Sequence, residues 1–316
     1  MMANQSFTSI DKPVLILVGP TAIGKTGLSL ELAELFHCEI VSVDSMQVYR
    51  FMDIGTAKAS PQERAQVVHH LIDIVNPDEE YDAARFAEDA VIAVNTIHAK
   101  GKIPLLTGGT GLYLRALLEG LAPGIGQFSE IRQQLQQQLQ DYGANKLHEQ
   151  LARYDQLSAE RICVNDTHRL LRAMEIYLGT GKPWSVHISE QHEKKQNRFT
   201  NILLIGLRCE RTMLYRRIDT RASNMLRNGL EEEVRGLLAR GFGADCKSMQ
   251  SIGYRHMNSY LQNNWDFQEM ERLLARDTRH YAKRQYTWFS TLQGLEWFDV
   301  QNHVPIQERI QGWLAS

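Results

Sequence analysis

Gly19, Pro20, Thr21, Ala22, Ile23, Gly24, Lys25 and Thr26 spell G-x-x-x-x-G-K-T. Glycines let a backbone curl until successive amides point inward, a lysine adds a point charge, and a helix opening at Lys25 contributes its unpaired N–H groups. Together these cage two linked phosphates, with the Thr26 hydroxyl placed to hold a magnesium ion beside them. Such a loop needs a strand before it and a helix after it. Residues 14–18, Val-Leu-Ile-Leu-Val, are apolar without alternation, as in a strand buried on both faces of a parallel sheet. Over residues 25–36, Leu28, Leu32, Leu35 and Phe36 recur at helical spacing. The loop identifies a diphosphate and leaves the reaction open.

A second strand over residues 39–43 ends on Asp44 and Ser45. Ligands of open α/β sheets gather at the carboxyl ends of strands, which puts Asp44 beside the phosphate loop. A carboxylate there holds magnesium through water, takes a proton from an attacking nucleophile, or simply caps a turn. The strand at residues 103–106 delivers Thr107, Gly108, Gly109, Thr110 and Gly111. A motor or switch ATPase would end this strand on an acid that positions magnesium and water. Thr and Gly in its place argue against that class and leave a small-molecule kinase open, with the Thr110 hydroxyl near the diphosphate. Arg208, Arg211, Arg216, Arg217 and Arg221 crowd one later segment. Arg217 and Arg221 share a helix face, and Arg217 is the expected bidentate clamp. His69 and His70 have no further ligand at metal spacing and read as structural or rim residues, followed by a third strand at 71–74. Glu231, Glu232 and Glu233 read as a solvated cluster at a helix start.

The elements that must position these groups fit an α/β fold. With 316 residues and 43% hydrophobic composition, the chain can bury a large core and carry an appended domain. No apolar run approaches a bilayer span and residues 1–12 lack a signal-like apolar stretch, so a cytoplasmic protein without a membrane role is expected. Four scattered cysteines without a C-x-x-C pair indicate neither zinc nor a disulfide framework. A net charge of −2 means that any nucleic-acid surface must come from local clustering. Residues 81–100 read as a helix with Phe86, Ala90, Ile97 and either Ile92 or Val94 inward, residues 112–120 as a short helix, and 47–58 as an active-site rim. A Pro/Gly linker at 121–126 leads into a strand-free stretch, and an apolar strand returns at 201–207. The expected organisation is a core over 1–126, a helical insertion over 127–198, and the rest of the core with C-terminal helices over 199–316. In the insertion, Leu135 and Leu139 punctuate a Gln-rich amphipathic helix, Arg169 and Arg172 lie one turn apart, and residues 194–198 form an exposed loop. A helix over 269–290 aligns Arg272, Arg276, Arg279 and Lys283, followed by Arg284, Tyr286, Trp288 and Phe289. Such a stripe can hold backbone phosphates while its aromatic faces stack on unpaired bases.

Taken together, Gly-Pro-Thr-Ala-x-Gly-Lys-Thr and the segments at 41–49, 52–58, 108–113, 250–255 and 281–289 resemble the tRNA dimethylallyltransferase family, in order, over residues 14–298. The resemblance implies a P-loop parallel-sheet core with an inserted, mainly helical tRNA-binding domain. It implies transfer of a dimethylallyl group from its diphosphate, with Mg2+, to the exocyclic N6 amine of the adenosine 3′ of the anticodon, in tRNAs reading codons that begin with U. Residues 19–26 and Arg217 would then grip the leaving diphosphate. The family's pattern assigns Asp44 to contact and deprotonate the amine, which a carboxylate of ordinary acidity can do, and Thr110 to touch both tRNA and the reaction centre. Expected tRNA contacts are Asp44, Ser45, Met46, Gln47, Thr110, Arg132, His168, Arg169, Leu170, Leu171, Arg172, Gln250, Ser251, Ile252, Gly253, Tyr254 and Arg255, then Lys283, Arg284, Gln285, Tyr286, Thr287, Trp288, Phe289 and Ser290. The partners are tRNA, through its anticodon stem-loop, and dimethylallyl diphosphate, and a monomer is expected. The rivals are an isopentenyltransferase acting on free AMP, ADP or ATP, which needs neither the insertion nor the C-terminal arginines, a P-loop kinase, and a non-catalytic RNA-binding protein.

Overall fold

A computed structural model describes residues 9–121, 126, 128–193 and 198–316. Positions 122–125 of the expected linker and 194–197 of the expected loop lie outside the described residues. Six strands form one parallel sheet: β1 (Val14–Val18), β2 (Cys38–Val43), β3 (His69–His70), β4 (Ile103–Gly108), β5 (Ile202–Arg208) and β6 (Leu295–Asp299), in the order β3-β2-β4-β1-β5-β6. The helices are α1 (Lys25–Leu35), α2 (Pro61–Gln66), α3 (Ala83–Ala99), α4 (Gly111–Glu119), α5 (Ser129–Tyr154), α6 (Gln156–Arg161), α7 (Thr167–Thr180), α8 (Trp184–Glu193), α9 (Arg211–Arg227), α10 (Leu230–Ala239), α11 (Tyr254–Leu261), α12 (Phe267–Phe289) and α13 (Val304–Leu314).

The unbroken apolar run of β1 follows from its place. It pairs with β4 on one side and β5 on the other, and none of its residues is more than 1% exposed. Alternation divides its side chains between two core layers. Val14, Ile16 and Val18 meet Phe86, Ala90, Val94 and Ile97 of α3, while Leu15 and Leu17 join Leu28 and Leu32 of α1. Each such fully buried side chain stabilises the fold by about 1.5–3 kcal/mol before entropy is counted.

Several expectations are corrected here. Residues 71–74 are not a strand: Leu71 and Asp73 have φ of 61° and 57°, a left-handed backbone that no ladder accommodates, and pairing with β2 stops at His70. Leu35 is 53% exposed, so Leu28 and Leu32 alone of those leucines carry the packing of α1. Ile92 points to solvent and Val94 inward. The edge strand β6 has no counterpart in the sequence reading. Among the described residues no helix is long and apolar enough to cross a membrane.

The described residues fall into two compact units, one drawn from Met1–Leu118 with Asn197–Ser316, the other from Glu119–Gln196. The second contains α5 to α8 around Leu135, Leu147, Leu151, Leu170, Leu171 and Met174, with α5 kinked at Gly143 (φ 78°). Leu170 and Leu171, both expected to meet tRNA, are core residues whose side chains pack inside this unit. Arg132 and Arg172 are likewise engaged: each donates to the buried Glu175 at 2.9 Å. Breaking a buried pair of this kind leaves an uncompensated charge, so both arginines are held. Arg169 remains open, its side chain 68% exposed beside Asp166.

Candidate active site

Strand register brings the chemistry together. Val18 lies against Gly108, and Gly108 against Val43, so Gly19, Asp44 and Gly109 leave the sheet side by side. Gly108 is required by this proximity, since a Cβ there would fall 2.0 Å from the Val43 carbonyl oxygen. The amides of Gly109 and Thr110 both donate to that oxygen at 3.2 Å, which fixes the β4–α4 turn against the base of Asp44.

The phosphate loop carries Ala22 at φ 62°. A left-handed conformation costs a residue with a Cβ about 1–2 kcal/mol, so something must hold it. Two side chains do. The Thr21 N–H donates to Gln285 Oε1 at 2.8 Å on one side, and Arg217 donates to the Ile23 carbonyl at 2.6 Å on the other. Lys25 donates to the carbonyls of Gly19 and Pro20 at 2.8 and 2.9 Å. Burial lowers the Lys25 ammonium to about 7, with repulsion from Arg221 adding to the shift and Asp44 opposing it.

Asp44 Oδ1 accepts from the amides of Met46 (2.8 Å) and Gln47 (3.3 Å). Burial raises its pKa, against those amides and the positive charges of Lys25 and Arg221. The carboxylate is half-buried where β2 leaves the sheet, and its loss of hydration is the larger influence. Arg221 itself is lowered by burial, with Asp44 opposing. Lys25, Asp44 and Arg221 thus form one electrostatic cluster. Thr110 Oγ1 accepts from the Ser45 amide at 3.0 Å, tying the ends of β2 and β4 together. Tyr281, one turn before Gln285 on α12, is pushed up to about 12 by burial and then by the Asp44 charge, against hydrogen bonds from Thr110 and Gln285 that lower it, so it stays neutral.

A cavity of about 820 Å3 opens beside this cluster, lined among others by Ile54, Lys58, Met213, Arg216, Arg217 and Arg221. Its rim, residues 47–58, is anchored from two directions. Lys58, its side chain 1% exposed, reaches Asp53, Asp73 and the Tyr49 carbonyl. Glu233 accepts from the amides of Asp53, Ile54 and Gly55 at 2.9, 2.7 and 3.1 Å and from the Tyr254 hydroxyl at 2.6 Å. Glu233 is therefore an anchor and not part of a solvated acidic cluster.

The residues expected to meet tRNA divide by exposure. Arg255, Lys283, Arg284, Thr287 and Ser290 are exposed. Tyr254, Gln285 and Phe289 are 5% exposed or less, so their side chains turn inward. The basic stripe of α12 is largely neutralised: Arg272 pairs with Glu269, Arg276 with Asp277, and Arg279 with Asp219. Only Lys283 of the four has no ion pair among the described residues. His70 pairs with the buried Glu39, alongside Lys100 and Lys102, and His69 meets the Val67 carbonyl. Sequence reasoning missed Tyr281, Lys58 and the inward role of Gln285. The signal that could have found two of them was the i, i+4 pairing of Tyr281 with Gln285.

A model of the IPP transferase family matches residues 47–292. The chain is 54% identical over 307 residues to the tRNA dimethylallyltransferase of Desulfotalea psychrophila, covering 97% of each. It is 44% identical to that of Geobacter sulfurreducens, covering 94% of each. Among solved structures, a tRNA isopentenylpyrophosphate transferase from Bacillus halodurans aligns with a TM-score of 0.70 at 38% identity, over 96% of this chain and 97% of that one. A eukaryotic dimethylallyltransferase described as acting on tRNA aligns with a TM-score of 0.76 at 29% identity, over 92% and 74%.

Proposed function

The chain belongs to the IPP transferase family, and from that premise we propose that it moves a dimethylallyl group from dimethylallyl diphosphate to the N6 amine of the adenosine 3′ of the anticodon, in tRNAs reading codons that begin with U. It acts as a cytoplasmic monomer. Breaking the allylic carbon–oxygen bond builds negative charge on the departing diphosphate and positive character on carbon. Fixed positive charge in a water-poor site favours that change over the ground state. Lys25, Arg217 and Arg221 supply it, together with the loop amides and the N-terminus of α1. On arrival the diphosphate offers Lys25 a better partner than the Gly19 and Pro20 carbonyls.

Magnesium is held chiefly by ligand phosphates, waters and few protein oxygens. The exposed Thr26 hydroxyl in the first turn of α1 fits that donor set, and the ion would add charge neutralisation at the leaving group. Asp44 takes the amine proton as the new carbon–nitrogen bond forms. Its burial makes it more basic, while Lys25 and Arg221 favour the anion needed to accept. Thr110 and Ser45 hold the face on which the base lands. Adenosine within a folded loop must leave its stack to reach this depth, and Lys283, Arg284, Thr287 and Ser290, with Arg169 of the second unit, bind the surrounding RNA.

The observation that carries this reading is the shared cluster of Asp44, Lys25 and Arg221, a base and a diphosphate cradle within one another's field. The test supplies labelled dimethylallyl diphosphate, magnesium and unmodified tRNA, or AMP, ADP or ATP instead. Label recovered as N6-modified adenosine from tRNA alone is expected. Label on free nucleotides, or γ-phosphate transfer from ATP, overturns the reading.

A further inference from the structure

We infer that Gln285 is the positioning residue that holds the diphosphate cradle in its binding shape, although it stands in the segment otherwise devoted to RNA. Its neighbours on α12, Lys283, Arg284 and Thr287, are exposed, whereas Gln285 is 5% exposed. Its Oε1 accepts from the Thr21 N–H at 2.8 Å and its Nε2 donates to the Gly109 carbonyl at 2.9 Å. One buried amide thus joins the loop after β1 to the turn after β4. Through the Gly109 and Thr110 amides on the Val43 carbonyl, it also reaches the backbone beside Asp44.

Ala22 makes this bridge matter. Its left-handed backbone lies between two pins, Gln285 on Thr21 and Arg217 on Ile23. Without the first pin, residues 20–22 relax toward an unstrained conformation that no longer aims the loop amides at a diphosphate, and binding must restore the shape at the expense of affinity. The bridge also dictates a neighbour. A Cβ at residue 109 would lie 2.2 Å from Gln285 Nε2, its nearest obstacle, so glycine there keeps space for the amide.

The inference rests on the reading that the loop holds a diphosphate, and the test separates the two. Inorganic pyrophosphate binding is measured by calorimetry on wild type, Gln285→Met, Gly109→Ala and the double variant, with hydrogen exchange at the Thr21 amide read without ligand. Removing the bridge is expected to weaken pyrophosphate about tenfold and speed Thr21 exchange about tenfold, with tRNA affinity within about twofold of wild type. Gly109→Ala, which displaces the same amide without altering α12, is expected to reproduce the loss, and to add nothing once Gln285 is Met. Should Gln285→Met fail to fold, Gly109→Ala alone decides. Unchanged pyrophosphate affinity and Thr21 exchange in the folded variants, or a loss confined to tRNA binding, overturns the inference. Absence of pyrophosphate binding by wild type instead overturns the diphosphate reading, and the positioning role with it.

Discussion

Lys25 should make diphosphate binding pH-dependent in a way that only a half-titrated ammonium can. In the ligand-free site, burial and the Arg221 charge bring it down to about 7. A bound diphosphate opposes both effects, returning the ammonium toward its usual range near 10.4. The protonated lysine is the binding form, so affinity is full below about pH 7 and falls as pH rises above it. Between about pH 7 and about pH 9 the protonated fraction of free enzyme drops from about a half to about one in a hundred. Pyrophosphate affinity should therefore fall by one to two orders of magnitude, about 2 kcal/mol, and binding near pH 8.5 should take up close to one proton per site. Calorimetry in buffers of different ionisation enthalpy reads that uptake directly. Pyrophosphate itself titrates in this range, so Lys25→Arg, charged throughout, serves as the reference and should lack the lysine component. Identical pH profiles and proton uptake for wild type and Lys25→Arg would refute the argument that burial holds Lys25 near neutrality.

Other consequences can be measured independently. Asp44→Asn should lower single-turnover transfer by about a hundredfold or more while tRNA affinity stays within about twofold, and an unchanged rate would remove Asp44 as the base. Glu233→Ala strands the amides of Asp53, Ile54 and Gly55 and the Tyr254 hydroxyl, and should destabilise the protein by about 2–4 kcal/mol in denaturant titrations. Glu233→Gln, which keeps an acceptor, should cost less, and equal losses would count against the anchoring role. tRNA affinity should fall with salt, and Lys283→Ala and Arg284→Ala should each reduce the log–log slope by about 0.7–0.9. Arg272→Ala and Arg276→Ala should leave the slope nearly unchanged because their charges are already paired. Equal effects at all four positions would show that those pairs open on binding.

The legible parts of the fold were those with one dominant physical cause. Strands β1, β2, β4 and β5 lie inside the sheet, and burial on both faces writes runs that are mainly apolar, unbroken in β1 and interrupted in β2 by Glu39 and Ser42. The edge strands carry weaker marks. Two residues of β3 give no pattern, and β6 mixes Glu296 and Asp299 with Trp297 and Phe298 because its residues are half-buried. Left-handed φ at Leu71 and Asp73 was invisible because neither residue announces it as a glycine would. In the site, the phosphate loop was readable because backbone geometry restricts its residue types. The state of each charge was not. Glu231, Glu232 and Glu233 are identical in type, and only the rim loop packed near them distinguishes the third. The arginine stripe of α12 looks continuous in sequence because Asp219, which quenches Arg279, belongs to a different helix.

The same distinction explains how a loop associated with nucleotide phosphates can serve carbon–oxygen cleavage. A phosphate cradle stabilises accumulating negative charge, and it does so whether the bond that breaks is to phosphorus or to carbon. What selects between them is where the nucleophile is activated. In a hydrolase the acid ending the strand beside the phosphate loop aims water at the terminal phosphate. Here that strand, β4, ends in Gly108, in a contact so close that even a Cβ would collide with Val43. The carboxylate stands one strand further out, at the end of β2, with its field shared by Lys25 and Arg221. With Asp44 as the proposed base, a displacement of one strand spacing, about 4.8 Å, would put activation away from the phosphate and toward the group the phosphate carries. An acid at Gly108 is sterically barred, so point substitution there should abolish folding or transfer without creating phosphatase activity. A Gly108→Asp protein that folds and hydrolyses ATP would show that strand position does not set the choice.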